Sequence, residues 1–334
     1  MGKRKISFEN QPELPFDEWS AEEYARRVSD DPVFSKLPVA GHEAAEKDKQ
    51  DSSDNRLFYL SMGSGSSGNA GYVGTKRGGV LIDVGVNEDE IINMLADNGI
   101  DLRDVKGILL THDHSDHVKY VYPLLRAHKH LKVFCTNRVL NGLLRRHSIS
   151  KRIKEYHIPI FKEIPFKILD FEITPFDVPH DGTDNMGFSI EGLGHRFVLA
   201  TDLGAVTERA RYYMSRANYL VIESNYDRVM LRNGRYPEYL KARIMTDHGH
   251  LDNEDTARFL KEIVNPDLKY VFLCHLSADN NTPEKALAVS RAAIESAGKS
   301  VGHGEETLSD LGADVQLVAL PRYGASRLYV FRKP

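Results

Sequence analysis

Residues 111–117 read Thr-His-Asp-His-Ser-Asp-His, directly after the apolar run Gly107-Ile-Leu-Leu. Three imidazoles and two carboxylates crowd together here, at the end of an expected buried strand. His112 and His114, spaced by two, can turn toward one point, and Asp116 and His117 toward a neighbouring one. Imidazole nitrogen and carboxylate oxygen are ligands that Zn²⁺ accepts, and two adjacent ligand sets suggest two metals. Four further positions share the setting. Asp83 ends an apolar run at 80–82, His180 follows the strand expected at 171–176, Asp202 ends the run at 197–201, and His275 follows 270–274. A shared sheet edge can bring such strand ends together. A solvated polar loop with incidental histidines explains one of these positions and not the set.

The elements that must position them follow from periodicity and breakers. Strands are expected at 57–60, 72–75 and 79–83, the last two as a hairpin, and at the segment ending in Thr111. More are expected at 132–135, 171–174, 186–190, 196–200, 219–222, 270–274, 316–319 and 326–331. Amphipathic patterns predict helices at 87–98, 118–130, 253–264 and 283–297, with a basic helical stretch after residue 135. The whole reads as an α/β (α+β) chain, with sheets that carry helices on the outside. Gly63 to Gly68 matches G-x-G-x-x-G. A dinucleotide site needs a helix immediately after that motif, and a hairpin follows instead, so that reading is rejected. The loop is either a tight structural turn or a set of exposed amides and hydroxyls near the active site.

The 334 residues include 41% apolar residues, enough for a substantial core, and no apolar run approaches the roughly 20 residues of a membrane span. The N-terminus is basic but has no apolar signal-peptide segment. Two cysteines make no disulfide framework, which fits a reducing cytoplasm, and Cys274 is expected to be a buried small hydrophobe facing away from His275. The net charge of −4 conceals an asymmetry. Residues 9–55 carry thirteen acids against five bases, a net of −8, while residues 119–167 carry twelve bases against two acids, a net of +10. A second basic run holds Arg228, Arg232, Arg235, Lys241 and Arg243. Basic surface beside a metal site favours a polyanionic substrate such as nucleic acid. Residues 1–55 read as an acidic extension, broken by prolines, with a short helix capped by Ser20 and Glu23; residues 56–334 read as the hydrolase domain.

The order and spacing of these residues resemble the metallo-β-lactamase superfamily of dinuclear hydrolases, through the H-x-H-x-D-H pattern at 112–117. The resemblance implies a four-layer αβ/βα sandwich with two divalent metals, Zn or Mn, between the sheets. One metal would be held by His112, His114 and His180, the other by Asp116, His117 and His275, with Asp202 bridging and Asp83 supporting the histidine loop. Within the superfamily, the segment from about Leu57 onward is similar to the YycJ/WalJ-type exonucleases, through residues 64–69, Glu223-Ser-Asn, Tyr236-Pro, Gly249-His-Leu and His275-Leu-Ser. Two departures are Tyr226 and Asp252, where that family tends to have His and Ser. Glu223 and His250 also sit where tRNA-processing nucleases of the superfamily carry a Glu/His pair.

These features predict a phosphodiesterase, most simply a DNA exonuclease with little sequence preference that attacks through a metal-bridging hydroxide. Asp116, His250 and Glu223 are the expected catalytic residues, with His250 protonating the leaving oxygen; His248 is a weaker candidate for that step. Ser67, Asn69, Arg145, Arg146, Lys151 and Arg152 are the expected substrate contacts. Two alternatives keep the scaffold. One is a metal-dependent hydrolase of a small ester, thioester or lactam, and the other a regulatory protein without catalysis.

Overall fold

The site depends on which ends of the strands meet. In the computed structural model, which describes residues 54–304 and 312–332, fifteen strands form two sheets. The first contains β1 (Leu57–Gly63), β2 (Ala70–Thr75), β3 (Gly78–Ile82), β4 (Val105–Leu109), β5 (Val133–Cys135) and β6 (His157–Pro159) in sequence order. The second contains β7 (Phe166–Ile168), β8 (Phe171–Asp177), β9 (Met186–Gly192), β10 (His195–Ala200), β11 (Tyr219–Glu223) and β12 (Tyr270–Cys274). Beyond β12 lie β14 (Val315–Ala319) and then β13 (Val301–Gly302), while β15 (Tyr329–Phe331) returns to the first sheet beside β1.

Strands β3 to β6 pair in parallel, as do β10, β11, β12 and β14. Parallel pairing gathers C-terminal ends at one edge of each sheet. Strand β8 is antiparallel to β9, which is antiparallel to β10, so β8 also ends at that edge. Asp83, Thr111, the approach to His180, Asp202, Glu223 and His275 therefore all emerge on the same side, the usual place for a ligand site in parallel sheets.

The two-residue period of a strand divides the second sheet between two cores. Phe197, Leu199, Tyr219, Val221, Phe272 and Cys274 belong to the core shared with the first sheet, while Val198, Ala200, Leu220, Ile222, Val271 and Leu273 belong to the second. Tyr59 of β1 meets Phe197 and Phe272 across the interface, with ring centroids 4.8 and 5.1 Å apart. Helices α1 (Glu88–Asp97), α2 (Ser115–Val118), α3 (Val121–Ala127) and α4 (Asn137–Arg146) follow strands of the first sheet. Ile91, Leu95, Leu124, Val139 and Leu143 of these helices join the first core. On the second sheet come α5 (Glu208–Met214), α6 (Arg228–Asn233), α7 (Glu238–Ile244), α8 (Asn253–Ile263) and α9 (Pro283–Ser296), with Met214, Leu260 and Ile294 in the second core. The expected four-layer αβ/βα sandwich is the fold found.

One expected helix, 118–130, is interrupted at Lys119 and Tyr120, giving α2 and α3. Pro123 has no N–H and is tolerated in a first turn, so a helix containing it must start close before it. The acidic extension expected over residues 1–55, with its Ser20/Glu23 cap, lies outside the described residues up to residue 53. Among the described residues no helix is long and apolar enough to cross a membrane. Cys135 and Cys274 are free and buried, and burial pushes both thiols above their ordinary range.

Candidate metal centre

Strand β4 continues through Leu110, whose N–H donates to Phe134, and delivers Thr111 to the sheet edge. There Asp83 accepts from the Thr111 N–H (2.9 Å) and hydroxyl (2.8 Å) and from His117 Nδ1 (2.8 Å). The one-turn helix α2 follows at once, and the ring of His117 lies 4.1 Å from that of His112, centroid to centroid. Asp83, Asp202 and His275 share an unusual backbone, with φ of +59°, +52° and +52°. The left-handed region costs a non-glycine residue energy and persists where the surroundings impose it. It turns each side chain out of its strand line and into the centre.

The structure brings the expected ligands together in the expected groups. Donor atoms of His112, His114 and His180 lie within 4.8 Å of one another, and so do those of Asp116, His117 and His275. Asp202 touches both sets: Oδ2 lies 3.2 Å from His117 Nε2, and Oδ1 lies 3.2 Å from His275 Nδ1 and 3.9 Å from His180 Nε2.

Four of the five imidazoles are held by Nδ1. His112 meets the Thr111 hydroxyl (3.0 Å), His117 meets Asp83, His180 meets the Gly249 carbonyl (2.9 Å), and His275 meets Glu223 Oε1 (2.8 Å). His114 is reversed, with Nδ1 facing His180 and Nε2 3.3 Å from Asp181. Such outer contacts fix ring orientation and tautomer in metal sites. The test of fit is what remains over. His112 Nε2 and His275 Nε2 are buried with no hydrogen-bond partner, an arrangement that costs free energy unless something else binds them. They point where a cation would lie. Burial holds His112, His114 and His180 below their usual pKa, keeping them in the neutral form that ligates. Burial opposes charge on Asp202 too, but His275 and His117 outweigh it and keep the carboxyl ionised.

Glu223 is completely buried. Its Oε1 accepts from His250 Nδ1 and His275 Nδ1, both at 2.8 Å, and its Oε2 from the N–H groups of Leu203 (3.0 Å) and Leu251 (3.2 Å). His250 is 19% exposed and packs against the rings of His180 and His275. Burial resists its charge, yet Glu223 prevails and raises its pKa. His248 is exposed, and no hydrogen bond or ion pair involves its side chain among the described residues.

The expected substrate residues fall into different surroundings. Ser67 is exposed, whereas the Asn69 amide is buried, 3.3 Å from Asp116 Oδ2 and 3.0 Å from His117 Nε2. Asn69 also takes the Gly65 N–H on its side-chain oxygen, which ties the glycine-rich loop to the centre. The loop is thus a tight structural turn whose amides at 64, 65, 68 and 69 are hydrogen-bonded, with Ser66 and Ser67 exposed on it. Arg145, Lys151 and Arg152 are exposed, and no ion pair involves them among the described residues. Arg146 lies 3.6 Å from the buried Asp113, so part of its charge is already matched. The second basic run is less free than its local sequence suggests. Arg228 pairs with Asp252 and Asp255, Lys241 with Glu238, and Arg243 with Asp181. The departures Tyr226 and Asp252 face each other across a bridge, with Asp252 capping α8.

Sequence reasoning missed several positioning groups. Ser64 Oγ accepts the His275 N–H (2.9 Å), Asn225 donates to the His275 carbonyl (2.7 Å), and Thr201 donates to Asp202 (2.7 Å). Asp113 is fully buried and holds Thr183 by N–H and hydroxyl. Thr201 and Asp113 border expected ligands, while Ser64 and Asn225 lie in the segments 64–69 and 223–225 that carry the resemblance.

Residues 80–275 match the beta-lactamase superfamily domain. The chain is 34% identical over 256 residues to Exodeoxyribonuclease YycJ of Bacillus anthracis, a match covering 75% of this chain and 94% of that protein. It is 33% identical over 229 residues to Exodeoxyribonuclease WalJ of Streptococcus pneumoniae serotype 2, covering 68% and 84%. Among solved structures, the metallo-beta-lactamase fold protein YhfI from Bacillus subtilis superposes with a TM-score of 0.58 at 15% identity, over 83% of this chain and 99% of that one. Zn²⁺-bound PqqB from Methylobacterium extorquens gives 0.55 at 15% identity, over 83% and 100%. At these identities the two structures speak for the fold alone.

Proposed function

The chain belongs to the metallo-β-lactamase superfamily of hydrolases, in the family of YycJ and WalJ, and from that membership we propose that it is a DNA exonuclease with little sequence preference. The observation that carries the reading is the pair of three-residue donor sets that meet at Asp202, together with exposed cations at Arg145, Lys151 and Arg152 that form no ion pair among the described residues. His112, His114 and His180 would hold one divalent ion and Asp116, His117 and His275 the other, Zn²⁺ or Mn²⁺. Bound there, such ions supply a water of lowered pKa and neutralise charge on the phosphate.

The remaining work belongs to the chain. Glu223 occupies His250 Nδ1, which leaves Nε2 as the nitrogen free to carry a proton to a substrate. From there His250 protonates the departing strand oxygen, a step worth about 10²–10⁴-fold. Asn69 keeps Asp116 and His117 in place. Arg145, Lys151 and Arg152 grip the backbone, and phosphate contacts give affinity and register without reading bases. Two free, buried thiols suit an enzyme of the reducing cytoplasm.

The test compares DNA degradation with turnover of bis(p-nitrophenyl) phosphate, in the metal-loaded protein and in an Arg145→Glu/Lys151→Glu/Arg152→Glu variant. The expected result is a fall of at least about tenfold in the ratio of DNA to small-ester turnover, with a shallower salt dependence of DNA binding. An unchanged ratio would favour the small-ester reading.

A further inference from the structure

A cleft of about 180 Å³ opens among residues neighbouring, in the chain, those that carry Asp116, His117 and His275, though none of these three lines it. Its walls are continuous with the segments that hold those donors. Gly68 precedes Asn69, whose N–H donates to the Asp116 carbonyl (2.8 Å). Lys119 follows Asp116 by three residues, and Arg322 donates to the carbonyl of Leu276, next to His275.

The lining combines two chemistries. Lys119, Arg322 and the Ser67 hydroxyl can meet a phosphate, and neither cation is in an ion pair among the described residues. Lys119 Nζ instead stands 5.0 Å over the Tyr120 ring. Glu90 is the one carboxylate on the wall, so positive charge prevails. Met62 and Val86 give an apolar floor, while Tyr120 and Tyr323 give aromatic rims, Tyr323 with 73% of its surface exposed. A large exposed aromatic ring beside cations is the usual platform for a nucleic acid base. The volume lies below the roughly 300 Å³ that begins the range for whole ligands, so the cleft suits one unit of a polymer.

We propose that this cleft is a subsite for the phosphorylated terminal nucleotide of a DNA strand. Lys119, Arg322 and Ser67 hold its phosphate, and Tyr323 stacks on its base. The inference rests on the DNA reading above and adds to it a physical reason for starting at an end.

The experiment uses the metal-loaded full chain and phosphorothioate oligonucleotides that resist cleavage, carrying a 5′-phosphate, a 3′-phosphate or hydroxyls at both ends. Binding is followed by fluorescence anisotropy for the wild type, Lys119→Ala and Tyr323→Ala. Both side chains are exposed, so neither truncation opens the core. The expected result is about tenfold tighter wild-type binding of one phosphorylated end, a preference that both variants lose. Equal wild-type affinity for all three strands, or a preference kept by both variants, overturns the subsite while degradation of natural DNA leaves the exonuclease reading standing. A wild type that neither binds nor degrades DNA overturns both.

Discussion

Replacing Glu223 by Gln changes one atom and removes one charge, and the contacts of the carboxylate set the cost. It faces donors on both sides: two imidazole Nδ1 atoms on Oε1 and two backbone N–H groups on Oε2. Glutamine has a single acceptor oxygen. If that oxygen stays toward the imidazoles, the Leu203 and Leu251 N–H groups face an NH₂ and lose their acceptor. Each buried orphan costs about 1–3 kcal/mol, or about 2–6 kcal/mol together, against a typical total stability of about 5–15 kcal/mol. If the amide flips, His250 and His275 must accept at Nδ1 and carry their protons on Nε2. An Nε2–H on His275 cannot ligate a metal, and outer contacts of this kind are worth about 10–100-fold in metal affinity or activity. Either way the variant loses something measurable. The expected outcome is a fall of about 10²-fold or more in kcat for DNA, with either a Tm lowered by at least about 4 °C or a reduced metal content. Thermal unfolding, elemental analysis and single-turnover cleavage read the three quantities. Wild-type values in all three would refute the reasoning that Glu223 organises this site.

Asp202→Asn removes the carboxylate that stands 3.2 Å from both His117 and His275, and a lower metal count with DNA turnover reduced at least about 100-fold is expected. Asp83→Ala removes the carboxylate that accepts from the Thr111 N–H, the Thr111 hydroxyl and His117 Nδ1, and should lower both Tm and metal affinity in the same preparation. In Gly85→Ala the new Cβ would lie 1.6 Å from the Asp116 carbonyl oxygen and 2.8 Å from the Asn69 nitrogen, so the two loops must part. Activity and Tm are both expected to fall, whereas Gly312→Ala, which meets nothing within 4 Å among the described residues, leaves them unchanged.

The candidate ligands were legible because the chain places them at the ends of apolar runs. His112 through His117 are contiguous, and Asp83, Asp202 and His275 each follow a strand that parallel pairing aims at one edge. What escaped was the local mechanism of that aim. A left-handed φ at three non-glycine residues is imposed by packing and leaves no mark in composition. Strands β6 and β7 span three residues each and α5 to α7 six or seven, too short for a periodicity that needs windows of about 11 residues. The second basic run misled for another reason. Arg228 and Arg243 meet Asp252 and Asp181, partners 24 and 62 residues away, and a local charge count cannot see them. Asn69 was read as a substrate contact, and its amide also touches two candidate ligands; a glycine-rich loop does not announce which way its one large polar side chain turns.

Whether this metal site hydrolyses DNA from an end is decided by digesting end-labelled linear DNA, with closed circular single-stranded DNA as control. The protein is stripped by chelation and then reloaded with Mn²⁺ or Zn²⁺. Mononucleotide release from the linear strand is expected after reloading, with none from the stripped protein and an intact circle. Undigested linear DNA at full metal load, or equal cleavage of the circle, would contradict hydrolysis from an end at this centre.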